Sequence, residues 1–289
     1  MGRANPFATL ARVLIFALAC AAVIAPFVAV VMTSLASQEE ITASGGFVIW
    51  TNAPSFAAYE AVLSGGVVPR AMLISIGVTL VGTLFSLAAT IGLAYGLSRP
   101  GSLAHKPILL MTLFTLLFSP GIIPMYLIVQ QLGLIDNLWA LILPVMVNAF
   151  NVIVMRAFFL DIPAELIESA RIDGAGDFRI LTRIVLPMSK AVIAVVGLFY
   201  AVGYWNAFFS ALLYLNSPDL WPLQLVLRTF VVNQTPMGVD DMSAGAGAVP
   251  PQLSIQMAIL VMSIVPILLI YPFLQKHFAS GLMVGAVKG

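Results

Sequence analysis

Charge is scarce in this chain and unevenly placed. It has 13 Lys and Arg and 12 Asp and Glu, 25 charged side chains together. Nine of them fall in residues 161–190: Asp161, Glu165, Glu168, Arg171, Asp173, Asp177, Arg179, Arg183 and Lys190. Asp161-Ile-Pro163 has the pattern of a helix start, an Asp cap with Pro in the first turn. Glu165 and Glu168 then stand near the positive end of the helix dipole, where carboxylates are favoured. Gly174 and Gly176 are stop signals, so the pattern predicts a helix of about ten residues. The chemistry this offers is recognition: carboxylates on a short helix attract basic groups and backbone donors. Bond-making chemistry has no comparable signal, because no GxxxxGK[ST] phosphate loop, HExxH or GxSxG motif occurs. The two histidines, His105 and His277, lie far apart and read as solvated or headgroup-facing. The single cysteine, Cys20, allows no intrachain disulfide and no cysteine-rich metal cluster.

The elements that must position the charged stretch are apolar. Hydrophobic residues make up 61% of the chain, charged residues 9%, and the mean hydropathy is +1.06. A soluble domain carries roughly 25% charged residues, so this is an integral membrane protein. The net charge of +1 points to no nucleic-acid partner. Uncharged runs long enough for the ~20 residues of a crossing give six spans, near 13–35, 71–97, 107–130, 137–156, 191–215 and 254–275. Lipid offers backbone groups no partners, so the spans should be helices. The expectation is one all-α transmembrane domain over residues 1–289, with a cytoplasmic segment at 161–187 between spans four and five. Ile41–Tyr59, rich in Thr, Ser, Gly, Asn and Pro, reads as an exterior loop, and MSAGAGAVPP (242–251) as a flexible one. The first apolar run passes Pro26 to about Leu35, longer than the 7–15 residues of a cleaved signal. It is expected to stay as the first helix.

With the N-terminus in the cytoplasm, eleven of thirteen Lys and Arg residues fall on the inner side; Arg70 and Arg228 do not. Basic residues in short inner loops fix orientation, so both termini and the charged stretch are expected in the cytoplasm. An amphipathic helix lying on the bilayer is one reading of that stretch. Such helices favour Lys and Arg on the polar face, whereas residues 161–177 hold five acids and one Arg. A protein partner suits them better than an anionic leaflet.

Glu168-Ser169-Ala170, three residues, Gly174, nine residues and Ile184-x-Leu186-Pro187 resemble the EAA signature of bacterial ABC importer permeases. ARIDGA followed by IVLPMSK is similar to the maltose-type, carbohydrate-importing branch. Departures are Ser169 for the commoner Ala and Ala191 where many relatives carry Pro. The ending GLMVGAVKG extends the likeness. The resemblance implies a sugar or oligosaccharide permease of the bacterial inner membrane, not an enzyme. It implies ATP and Mg in two separate ATPase subunits, a second related permease and an extracytoplasmic solute-binding protein. In it the charged stretch is the coupling helix, which inserts into a cleft of an ATPase subunit. Glu165, Glu168, Ser169, Ala170, Asp173, Gly174, Ala175, Ile184, Leu186 and Pro187 would form that contact. Ala170 and Ala175 would keep its face shallow, and Gly174 would let the backbone turn.

The rival is a secondary solute carrier driven by an ion gradient. Such carriers often keep Asp, Glu or Lys inside their spans, and these runs contain none. Polar residues inside the spans are Asn148 and Asn151, three apart on one helix face, and Tyr204, Trp205 and Asn206. Amides can bond sugar hydroxyls and aromatic faces can stack on sugar rings; equally, such groups can bond another helix. The Ala88, Gly92, Gly96 ladder has the spacing of close helix contact. The exterior segment Tyr214–Arg228 looks like one in permeases for larger oligosaccharides, the aldouronate type among them, and is a docking candidate for the binding protein together with 36–69.

Overall fold

The computed structural model describes residues 6–99, 101–102, 104–233 and 250–286. Most of the 242–251 loop, Arg3 and Lys288 lie outside them. Among the described residues all regular structure is helical. In chain order the helices are α1 Pro6–Ser34, α2 Gln38–Ser44, α3 Ala57–Ser64, α4 Val67–Ser98, α5 His105–Leu117, α6 Ile122–Gln131, α7 Trp139–Ile142, α8 Ala149–Leu160, α9 Ala164–Ile172, α10 Asp177–Ile180, α11 Leu186–Met188, α12 Lys190–Trp205, α13 Phe208–Tyr214, α14 Leu223–Leu227 and α15 Gln252–Ala286.

Two compact units divide the chain: residues 1–70 with 226–266, and 71–225 with 267–289. In the first, α1 is exposed along most of its length, as a helix meeting lipid is. The stretch read as an exterior loop holds part of α2 and α3. Ser37 and Glu40 form a capping box at the start of α2, a signal the loop-like composition obscured. Glu40 also accepts from Thr51 Oγ1 at 2.7 Å and the Asn52 N–H at 2.9 Å. These bonds hold its carboxyl below the usual range, the Asn52 contribution first. Ser254 Oγ donates to Thr33 O and Ala36 O, both at 3.0 Å.

The second unit has its own core, which includes Ala94, Val152, Met155, Phe159, Ile180, Val196 and Ala211. Three expected spans are broken where the chain loses a hydrogen bond. The 107–130 run is α5 and α6, separated at Phe118–Gly121. Pro120 has no N–H to donate, and Gly121 sits at φ +85°, where an L side chain is strained. The 137–156 run bends by 53° between Val145 and Ala149, and Asn148 starts α8 afresh by capping it. The 191–215 run is α12 and α13, interrupted at Asn206–Ala207. Among the described residues three helical stretches are long and apolar enough to cross unaided, Leu10–Ser34, Val67–Ser98 and Gln252–Ile270; two bent pairs raise the number to five. The α5–α6 pair is apolar but its helices are short.

Within this chain the glycines of the small-residue ladder make no close helix contact. A Cβ built on Gly92 or Gly96 meets nothing within 4 Å. At Gly82 it would lie 2.7 Å from Tyr204 Cε2 and Cζ, so the Tyr204 ring of α12 packs directly on Gly82 of α4. His105 is also not simply solvated, since its Nδ1 is buried without a hydrogen-bond partner among the described residues.

Candidate functional site

The charged stretch forms α9 and a second helical run. α9 has nine residues, close to expectation, but Asp161 does not cap it. The Asp161 N–H donates to Ala157 O, so Asp161 ends α8, and Pro163 occupies the cap position of α9 without a side-chain bond. The far end closes on itself. Gly174 takes φ +77°, its N–H donates to Arg171 O at 3.0 Å, and the Ala175 N–H donates to Ala170 O at 2.9 Å. That pair of bonds is a Schellman motif, which needs the left-handed residue Gly174 supplies.

The motif residues then separate by direction. Glu165, Glu168, Ser169, Asp173 and Gly174 are exposed. Ala170 and Ala175 are half-buried against the core, beside buried Ile167. Their small size therefore seats the helix on the bundle instead of forming its outer contact face. Two apolar residues missing from the sequence reading stand out: Ile172 is 86% exposed and Phe178 79%. The signal was available, because large apolar side chains next to charge mark contact surfaces. Arg171 Nη2 and Asp177 Oδ1 pair at 3.4 Å across the turn.

Beyond α10 the helix widens over Leu181–Val185, where the Leu186 N–H reaches back to Leu181 O. Ile184 and Leu186 are half-buried and Pro187 is exposed. Pro187 cannot donate, and its ring crowds the preceding turn, which accounts for the wide geometry. An 85° bend then leads into α12.

A cleft of about 620 Å³ opens within the same unit, lined by residues of α7, α8, α12 and α13 and the turns beside them. Asn148, Asn151 and Tyr204 line it; Trp205 and Asn206 do not. Each residue turns a helix by roughly 100°, so neighbours of Tyr204 face elsewhere. Trp205 is buried and Asn206 is exposed, its amide donating to Val202 O at 2.9 Å. Tyr200, Gly203, Tyr204 and Ala207 share the lining face, a helical i, i+3, i+4, i+7 stripe that could have identified Tyr200. Phe150, Phe199 and Ser210 complete the polar and aromatic part of the lining.

The tyrosine hydroxyls are engaged in helix packing. Tyr204 OH meets Ser86 Oγ and Tyr200 OH meets Thr90 Oγ1, both at 2.7 Å. The Asn148 N–H donates to Tyr200 OH at 3.0 Å, and Asn148 Oδ1 accepts from the Asn151 N–H at 3.2 Å. The Asn151 side chain differs: it is only 5% exposed, lines the cleft, and its amide makes no hydrogen bond among the described residues. An amide left open to the cleft can both donate and accept there. No group of three His, Cys, Asp or Glu able to hold a metal occurs among the described residues.

Residues 88–284 match the family of binding-protein-dependent transport system inner membrane components, and the chain belongs to it. It is a membrane permease subunit of an ABC transport system, not an enzyme, and ATP hydrolysis lies in separate subunits. The ion-driven carrier is thereby set aside. The chain is 44% identical over 276 residues to the polygalacturonan/rhamnogalacturonan transport system permease protein YtcP of Bacillus subtilis, covering 96% of this chain and 95% of that one. Protein LplC of Bacillus subtilis is 45% identical over 268 residues, covering 92% and 90%. A crystal structure of a bacterial ABC transporter involved in import of the acidic polysaccharide alginate superposes with a TM-score of 0.87 at 28% identity, covering 96% of this chain and 99% of that one.

Proposed function

We propose that this permease carries a sugar or oligosaccharide inward across the bacterial inner membrane, with both termini and α9 on the cytoplasmic side. It works with a second related permease, two ATPase subunits that hold ATP and Mg, and an extracytoplasmic solute-binding protein that docks on 36–69 and 214–228. All six expected spans cross in this reading, with α5–α6, α7–α8 and α12–α13 as broken ones.

The observation that carries the reading is the two-sidedness of α9. Ile167, Ala170 and Ala175 seat it on the core, while Glu165, Glu168, Ile172 and Asp173 face away. A surface that joins carboxylates to bare apolar side chains fits a protein cleft with basic and apolar groups better than headgroups. Glu168, Ser169, Asp173 and Gly174 supply the polar contact; Ile184, Leu186 and Pro187 carry displacement into α12. Relatives that carry polygalacturonan, rhamnogalacturonan and alginate support a carbohydrate cargo, and the cleft at Asn151 lies on its route.

The test is purification of the complex in mild detergent, followed by reconstitution and a panel of oligosaccharides presented with the binding protein. Copurified ATPase subunits and sugar-stimulated hydrolysis are expected. Hydrolysis that no oligosaccharide in the panel stimulates would overturn the carbohydrate assignment.

A further inference from the structure

The coupling segment 164–188 is joined covalently to α8 and α12. Among the described residues, the side-chain hydrogen bonds linking it to the rest of the chain go to neither. They come from Tyr95, near the end of α4 and 82 positions away in sequence. Tyr95 OH donates to Asp177 O at 3.2 Å, with Asp177 Oδ1 at 3.4 Å. Asp177 in turn pairs with Arg171 of α9. The Tyr95 ring is 9% exposed, and the Arg99 guanidinium lies over it, Cζ 4.5 Å from the ring centre. Next along α4, Leu97 O accepts from Arg156 Nε at 2.7 Å. That carbonyl belongs to the helix end, where backbone acceptors lack helical partners and cations are favoured. Arg156 stands on α8, just before the charged stretch. The end of α4 is thus held from two sides, by α8 and by the coupling segment.

We infer that Tyr95 is a positioning residue that yokes α4 to the coupling segment through Asp177, so that displacement of the segment moves α4 together with α8 and α12. A buried ring fixes where the hydroxyl sits, and the acceptor pair on Asp177 fixes the segment against it. This rests on the reading of 161–187 as the ATPase-docking segment.

The test uses the assembled complex in a Cys20→Ala background, with spin labels at Gly92→Cys on α4 and Thr182→Cys on the segment. The Gly92 Cβ has open space and Thr182 is exposed. The interlabel distance is measured without nucleotide and after trapping with ATP and vanadate. In the otherwise native complex one narrow distance is expected, unchanged by trapping. Tyr95→Phe keeps the ring under Arg99, so its complex should retain the ATPase while the distance broadens or shifts on trapping. Asp177→Asn still accepts the hydroxyl and should behave as native. A distance that already shifts in the native complex overturns the yoke, as does a Tyr95→Phe complex that matches native or loses its ATPase. Should Tyr95→Phe not assemble, the native measurement alone decides. Docking is judged separately: a Glu168→Lys complex that keeps its ATPase defeats that reading whatever Tyr95 does.

Discussion

Gly82→Ala places one methyl group where Tyr204 already is. The added carbon would lie 2.7 Å from Cε2 and Cζ and 2.9 Å from Cδ2, roughly 1 Å inside the ordinary contact distance. The ring cannot easily move, since Tyr204 is 5% exposed and its hydroxyl is bonded to Ser86. Overpacking costs about 1–3 kcal/mol, and losing the Ser86 bond adds about 1 kcal/mol. Against this, Ala favours the helix over Gly by about 1 kcal/mol, leaving a net loss of roughly 1–3 kcal/mol. Gly92→Ala is the matched control on the same helix, where the new methyl meets nothing within 4 Å and the same helix preference should stabilise. Thermal unfolding of both purified variants in detergent measures the contrast. A Gly82→Ala protein as stable as Gly92→Ala would refute the close approach of α4 and α12 at this point.

Asn151→Ala should leave the melting temperature nearly unchanged, because its amide makes no hydrogen bond among the described residues, while lowering uptake by the reconstituted complex; unchanged uptake would remove Asn151 from the route. Gly174→Val should cost on the order of 1–2 kcal/mol in the left-handed turn and abolish sugar-stimulated hydrolysis while the protein still inserts, read by ATPase assay on membranes. Asp136 accepts from the N–H groups of Asn216 and Ser217 at 2.9 and 2.8 Å and from the Ser217 hydroxyl. These bonds hold its carboxyl below its ordinary value of 3.8, the Ser217 hydroxyl foremost. A depressed value means stability present above the unfolded value and lost as pH falls through the folded one. Asp136→Asn should therefore flatten the acid limb of a thermal-stability profile below about pH 4, and an unaltered limb would exclude Asp136 as its source.

Apolar runs and basic asymmetry made the membrane class readable, because bilayer thickness and backbone satisfaction act on every residue of a span. Breaks within spans were less visible. Pro120-Gly121 was a plain signal inside an uncharged run, but Asn148 reads as an ordinary polar residue until its cap on α8 is seen. Asp161 misled because one Asp can end a helix as readily as start the next. Tyr204 was legible as a polar residue inside a span and Tyr200 was missed although helical period joins it to Tyr204; their hydroxyl partners on α4, over a hundred positions away, come from tertiary packing that no local pattern encodes. Ile172 and Phe178 stand beside charge in the sequence, but their exposure depends on how the segment packs on the core.

The turn at Gly174 has a mechanical corollary. Its two closing bonds are internal to the chain, so α9 keeps its shape before anything grips it. Nine residues at 1.5 Å each make a peg about 13 Å long, which in the proposed docking is already formed when its socket arrives. Ordering a loose loop on arrival would consume part of the binding free energy; a finished peg, docked as proposed, would leave that energy available as thrust along the helices behind it.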